Sequence, residues 1–125
     1  MKVKVIIAAS GSGERFGSKI PKQFLKIDGK EIIAHTLEKF NRIKLIDEII
    51  ISTKLDYFVQ LSTILKKYNL KKVKKIVEGG TLRQDSVYNA LINLQCEEGD
   101  LVLIHDAVRP FISSKKIIEL PRWQL

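Results

Sequence analysis

An α/β fold, with a mainly parallel sheet flanked by helices, is what this sequence predicts, and three observations carry that prediction. Short runs of β-branched, almost unbroken apolar residues alternate with longer segments of helical periodicity. The runs lack a polar face, as strands covered on both sides must. Two of them end in glycines, so the chain leaves those strands through tight, unencumbered loops. With 125 residues, 45% of them hydrophobic, the chain has the size of one domain. Residues 1–125 are therefore read as a single unit, with no internal repeat, linker or low-complexity tract.

The elements follow in order. Val3 to Ala9 is a buried strand that runs straight into the glycine segment "SGSGERFG". Asp28 and Gly29 mark a turn, after which Glu31 to Ile43 places Ile32, Ile33, Leu37 and Phe40 at helical spacing. Asp47 to Thr53, "DEIIIST", is the second strand, and Leu55 to Tyr68 the second helix, with Leu61, Ile64, Leu65 and Tyr68 on one side. Val73 to Val77 is a short third strand closed by Gly79 and Gly80. Thr81 to Leu94 is a third helix facing inward through Val87, Leu91 and Leu94, and "DLVLIHD" is a fourth strand.

Composition narrows the function classes. A net charge of +8 attracts anions: phosphorylated small molecules, nucleic acid or acidic lipid. The lysine-rich "KKYNLKKVKK", Lys66 to Lys75, lacks the series of aromatic platforms that single-strand binders interleave, and reads as a solvated helix end and loop. Cys96 is the single cysteine, which excludes an internal disulfide and a cysteine-based zinc site and suits a reducing compartment. His35 and His105 are too few to build a metal cluster. The amino-terminal apolar run is as short as a buried strand, too short for a signal or a membrane span, so a soluble cytoplasmic protein is expected.

In an open parallel sheet, ligands bind beyond the carboxyl ends of the strands, and the segment from Ser10 to Gly17 leaves the first strand there. It is not the dinucleotide fingerprint: after Gly11 and Gly13 the third glycine position holds Phe16, and the second strand ends in Ser52 and Thr53 rather than an acid. Walker A fails too, because no glycine is followed by Lys-Ser or Lys-Thr. Glycines nonetheless let backbone N–H groups approach an anion, and Arg15, Lys19 and Lys22 supply charges for a di- or triphosphate. The alternative is a plain glycine turn with solvated basic residues. "EGGTLRQDSV", Glu78 to Val87, repeats the theme with Gly80, Arg83 and Ser86 at a helix opening, where Thr81 also suits a cap. "LIHDAVRPF" puts Asp106 directly after a strand, suited either to Mg²⁺ bridging substrate phosphates or to a cap or turn, with Arg109 three residues on. His105 reads as a packed strand-end histidine.

These segments together resemble the 2-C-methyl-D-erythritol 4-phosphate cytidylyltransferase family of sugar- and polyol-phosphate cytidylyltransferases. "AASGSGERFGSKIPKQF" resembles its A-A-G-x-G-x-R and P-K-Q motifs, "EGGTLRQDSV" its G-G-x-x-R-x-x-S-V, and "HDAVRPF" its H-D-A-A-R-P. Three motifs in order, with "AHTLEKF" between them, extend the likeness over nearly the whole chain. The resemblance implies a Rossmann-like nucleotidyltransferase fold and transfer of CMP from CTP to 2-C-methyl-D-erythritol 4-phosphate with release of pyrophosphate, in non-mevalonate isoprenoid biosynthesis. It implies that the backbone of Ala9, Ser10, Gly11 and Gly13 holds the CTP phosphates and that Arg15 and Lys22 are catalytic. Gly80 and Ser86 would read the cytosine, with Thr81 beside them in the substrate-binding set, Arg83 would support the nucleotide loop, Asp106 hold Mg²⁺, and Ala107 and Arg109 lie toward the phosphorylated polyol. Ser10 and Thr81 depart from the family's usual alanine and aspartate, which bears on ribose and base contacts.

Two alternatives stay open: a ribitol-5-phosphate cytidylyltransferase, and a non-catalytic CTP-binding fragment. A basic nucleic-acid-binding module rests on the charge alone. Family members run to roughly 200 residues or more, so the carboxy-terminal portion of the fold is expected to be missing, including the arm through which the family forms homodimers. Such a chain is expected to bind CTP and to turn over poorly or not at all. "PRWQL" follows the helical pattern of "KKIIEL" and is read as the end of a truncated or frameshifted frame. One sheet edge and its apolar face are then expected to be exposed.

Overall fold

The structure is a computed structural model that describes residues 2–9 and 20–108, together with the backbone of Arg122–Gln124. Its strands are β1 (Val3–Ala9), β2 (Lys26–Ile27), β3 (Lys30–Glu31), β4 (Glu48–Thr53), β5 (Val73–Glu78), β6 (Leu101–Asp106) and β7 (Arg122–Gln124). Its helices are α1 (Ile32–Asn41), α2 (Phe58–Lys67) and α3 (Arg83–Asn93). The main sheet has the order β5-β4-β1-β6-β7. β4 and β6 flank β1 in parallel, β5 lies parallel to β4, and β7 runs antiparallel to β6. The predicted α/β class with a mainly parallel, helix-flanked sheet is the one observed.

Alternation along each strand sorts its side chains between two cores. Val5 and Ile7 of β1, Ile49 and Ile51 of β4 and Leu103 of β6 join Ile33, Leu37, Phe40 and Leu61 in the larger core, under α1 and α2. Ile6, Ile50 and Val102, one residue out of phase, meet Ala90 of α3 and Leu94, its C-cap, on the opposite face. Both faces are covered, which is why the strands read as unbroken apolar runs.

Asp28 and Gly29, at φ 53° and 78°, turn β2 back onto β3, in the left-handed geometry that Asp-Gly favours in two-residue hairpins. The hairpin leads directly into α1, and His35 of that helix donates from Nε2 to the Ile27 carbonyl at 2.6 Å. The second helical segment opens with a 3₁₀ turn at Leu55–Tyr57 before α2. α3 starts at Arg83, with Leu82 as its N-cap and the Asp85 carboxylate accepting the Leu82 N–H at 3.4 Å. Thr81 lies one residue outside the capping position.

β7 differs from expectation. Arg122–Gln124, within the "PRWQL" segment read as the end of a truncated or frameshifted frame, forms a strand that pairs with Leu101–Leu103 and covers that stretch of the β6 edge. The "KKIIEL" segment lies outside the described residues. The edge strand β5 carries exposed Lys74 and Lys75, and edge lysines discourage pairing with another chain.

At the amino-terminal end of the sheet, away from the glycine segments, the buried Lys4 ammonium donates to the Gln95 carbonyl at 2.5 Å. Nearby, the buried Asp100 carboxylate accepts the N–H groups of Glu97 and Lys2, each at 2.9 Å. Those bonds, the Glu97 N–H foremost, hold the Asp100 carboxyl below its ordinary value. A carboxyl lowered in this way stabilises the fold above the unfolded-state value of about 3.9 and loses that contribution as pH falls through the folded-state value. Asp100→Asn is therefore expected to melt below the parent chain at neutral pH, with the gap closing in acid. Thermal denaturation from pH 7 to pH 3 checks this, and a gap independent of pH would contradict it.

Candidate functional site

The chain moves outward from β1 to β4 and β5, then crosses back to place β6 on the other side of β1. This reversal makes the carboxyl ends of β1 and β6 a topological switch point, where open α/β sheets leave a crevice. Ala8 is in register with Asp106 on one side and Ser52 on the other, and Ala9 with Thr53. Thr53 is in turn in register with Glu78. The ends of β1, β4, β5 and β6 thus lie along a single edge.

Ala9 is buried, and its carbonyl accepts two side-chain donors, Thr53 Oγ1 at 2.9 Å and Gln23 Nε2 at 3.1 Å. The backbone is thereby fixed at the last described residue before the first glycine segment. Lys22 stands next to Gln23 in a 3₁₀ turn, Lys22–Phe24, begun by Pro21, and is exposed. On the other side of β1, Ala107 donates its N–H to the Ala8 carbonyl at 3.0 Å, and its own carbonyl accepts Thr36 Oγ1 at 2.8 Å.

The second glycine segment is built around Ser86. This side chain is fully buried, and its Oγ accepts the Gly80 N–H at 3.1 Å and lies 3.3 Å from the carbonyls of Gly80 and Leu82. The Ser86 carbonyl accepts Ser52 Oγ at 2.9 Å, tying the first turn of α3 to the end of β4. Gly80 is required by space: a Cβ there would lie 2.3 Å from Asp85 Cβ. Gly80→Ala is accordingly expected to displace Gly80 or the α3 N-terminus, break the Asp85 cap and cost about 1–3 kcal/mol, the usual penalty of overpacking. Chemical denaturation checks the loss, and an unchanged midpoint would contradict it.

Asp106 and Arg83, 23 residues apart, meet at this edge, the Arg83 Nε donating to Asp106 Oδ1 at 3.0 Å. Both side chains remain partly exposed, at 57% for Arg83 and 33% for Asp106, so solvent and ligand reach the pair. A carboxylate so placed suits Mg²⁺, which takes one or two protein carboxylates and completes its shell with water and phosphate oxygens. Among the described residues no group of three or more His, Cys, Asp or Glu side chains forms a metal cage. Cys96 is set apart from this chemistry, since burial raises its thiol above the ordinary value and leaves it protonated. No helix among the described residues is long and apolar enough to cross a membrane.

Of the residues selected from sequence, Ala9, Lys22, Gly80, Thr81, Arg83, Ser86, Asp106 and Ala107 fall at or beside this edge, with Thr81 exposed. Ser10, Gly11, Gly13, Arg15 and Lys19 lie outside the described residues, as does Arg109. Sequence reasoning assigned no role to Gln23, Ser52, Thr53 or Thr36. The available signal was polarity out of place: Ser52 and Thr53 close a run of three isoleucines, and Gln23 precedes a phenylalanine.

Comparison with known proteins adds to this geometry. The family model "IspD: 2-C-methyl-D-erythritol 4-phosphate cytidylyltransferase" matches residues 3–123. The chain is 51% identical over 115 residues to the 2-C-methyl-D-erythritol 4-phosphate cytidylyltransferase of Clostridium botulinum (strain ATCC 19397 / Type A), covering 90% of this chain and 49% of that one. It is 46% identical over 119 residues to the protein of the same description from Clostridium perfringens (strain SM101 / Type A), covering 93% and 51%. The fold is similar to the crystal structure of 4-diphosphocytidyl-2C-methyl-D-erythritol synthase from Anaerococcus prevotii, with TM-score 0.78, 33% identity, and 94% of this chain and 48% of that one covered. For the Francisella tularensis 2-C-methyl-D-erythritol 4-phosphate cytidylyltransferase the values are 0.73, 37%, 94% and 49%. The chain spans about half the length of the curated relatives it matches.

Proposed function

Because this chain belongs to the 2-C-methyl-D-erythritol 4-phosphate cytidylyltransferase family, we propose that it carries the nucleotide-binding half of an enzyme that transfers CMP from CTP to 2-C-methyl-D-erythritol 4-phosphate and releases pyrophosphate. The observation that carries the proposal is the convergence, at the switch point of the sheet, of the β1 exit, the Gly80 segment and the Arg83–Asp106 pair. In this reading residues 1–125 act as one nucleotidyltransferase unit in the cytoplasm.

The reaction needs no general base, since the attacking oxygen of the acceptor phosphate is already an anion. That oxygen forms a bond to the α-phosphorus of CTP while the bond from the α-phosphorus to the bridging oxygen of pyrophosphate breaks. The work left to the protein is alignment and neutralisation of the charge that accumulates on the pentavalent transition state. Backbone N–H groups from Ala9 to Gly13 cradle the triphosphate, and Arg15 and Lys22 meet the charge at the reacting phosphorus. The Gly80 segment, held from beneath by Ser86, takes the cytosine edge, with Thr81 and Arg83 at its rim. Ala107 and Arg109 face the polyol phosphate. Asp106 would hold Mg²⁺, which would supply positive charge to offset that of the triphosphate. Arg83 donates to Asp106 Oδ1 and would thereby orient the carboxylate that takes the metal.

Titration of the chain with CTP, UTP, ATP and GTP, with and without Mg²⁺, tests the reading. CTP is expected to bind most tightly and only with Mg²⁺, and Asp106→Asn to lose the metal dependence. A folded chain indifferent to CTP would overturn the proposal.

A further inference from the structure

We infer that Thr53, assisted by Gln23, is a positioning residue that sets the spacing between the phosphate end and the base end of the nucleotide site. The inference rests on the reading above and assigns a role to residues outside its binding set.

Thr53 is fully buried at the end of β4, between the two segments that receive opposite ends of a nucleotide. Its hydroxyl donates to the Ala9 carbonyl at 2.9 Å, fixing the β1 exit. Its own carbonyl accepts the Gly79 N–H at 2.7 Å, fixing the β5 exit. One residue therefore bonds to both strand exits, the first at Ala9 through its side chain and the second at Gly79 through its backbone. Ser52, its neighbour, ties the Ser86 carbonyl to the same strand end and so completes the base side. Gln23, 2% exposed, adds the second donor to Ala9 and joins the Lys22 turn to the same carbonyl.

Valine at position 53 would satisfy strand propensity equally well and fill nearly the same volume. The threonine hydroxyl adds a directed bond to a buried carbonyl whose other side-chain donor, among the described residues, is Gln23. CTP spans both segments, and each part of it gains effective concentration only when the segments stand at the right separation. Pyrophosphate or cytidine alone engages one segment and is insensitive to that separation.

The test compares the parent chain with Thr53→Val, Thr53→Ser and Gln23→Met, each confirmed folded by circular dichroism. Affinities for Mg²⁺–CTP, inorganic pyrophosphate and cytidine are read by NMR titration. Thr53→Val is expected to weaken CTP about tenfold, the equivalent of one neutral hydrogen bond, while pyrophosphate and cytidine change less than twofold. Thr53→Ser restores CTP affinity. Gln23→Met is expected to weaken CTP in the same sense, and it carries the test if Thr53→Val does not fold. Equal CTP affinity in parent, Thr53→Val and Gln23→Met would overturn the inference, as would a parallel loss for all three ligands, the mark of a merely structural role. A parent chain that binds no CTP would overturn the nucleotide reading itself, and the inference with it.

Discussion

Lys22→Ala is expected to lower CMP transfer by about 10²- to 10³-fold, the usual cost of removing one preorganised electrostatic group from a transition state, while stability changes by no more than about 0.5 kcal/mol. The separation of the two effects follows from its place in the fold. The Lys22 side chain is exposed, whereas its neighbours Gln23 and Phe24 are buried and carry the packing of the turn. The turn is closed by the Phe24 N–H donating to the Pro21 carbonyl at 2.9 Å and by Gln23 on Ala9. Alanine at position 22 leaves those bonds intact and removes only the charge. Lys22→Arg keeps the charge but spreads it over a planar fork, so it is expected to recover part of the rate. Single-turnover pyrophosphate release, with the chain in excess over CTP and with Mg²⁺ and 2-C-methyl-D-erythritol 4-phosphate present, measures the effect on the slow transfer of the parent chain, alongside thermal denaturation. Full activity in Lys22→Ala would remove Lys22 from the catalytic set.

Phe40→Ala is expected to cost about 3–5 kcal/mol, the range for truncating a buried aromatic, against a total stability of about 5–15 kcal/mol for an ordinary domain. Phe40 is fully buried in the larger core, and its ring centroid lies 5.0 Å from that of His105 at an interplanar angle of 57°. It therefore braces α1 against the end of β6, one residue before Asp106, and His105 is the packed strand-end residue expected from sequence. Urea denaturation should show a lower midpoint with an unchanged slope. A loss below about 1 kcal/mol would mean that the core closes over the gap, since that cost scales with the residual cavity.

The four longer strands and three helices were legible because each carries a local pattern long enough to identify. A strand covered on both faces must be apolar at successive positions, and Val5–Ala9 and Ile49–Ile51 are so. The β2–β3 hairpin was visible only as its Asp-Gly turn, because two-residue strands are too short to show alternation. β7 has three residues and no pattern of its own, and its pairing depends on where the β6 edge lies. At the site, glycines and charged side chains stood out in the sequence. Their supports did not, because a hydrogen bond from Thr53 or Gln23 to a distant carbonyl leaves no periodic trace.

The sequence by itself determined the α/β class, the order of the four longer strands and three helices, the inward face of each helix and the two glycine segments, since all of these are set by backbone preference and apolar periodicity within a few residues. Tertiary structure alone decided that β6 returns beside β1 rather than beyond β5, that Arg83 meets Asp106, and that Thr53 bonds both Ala9 and Gly79. Strand edges offer the same N–H and C=O groups to any partner, so local pattern cannot choose the neighbour. The choice falls to the packing of both sheet faces at once, which brings residues 23 and 44 positions apart within hydrogen-bond distance.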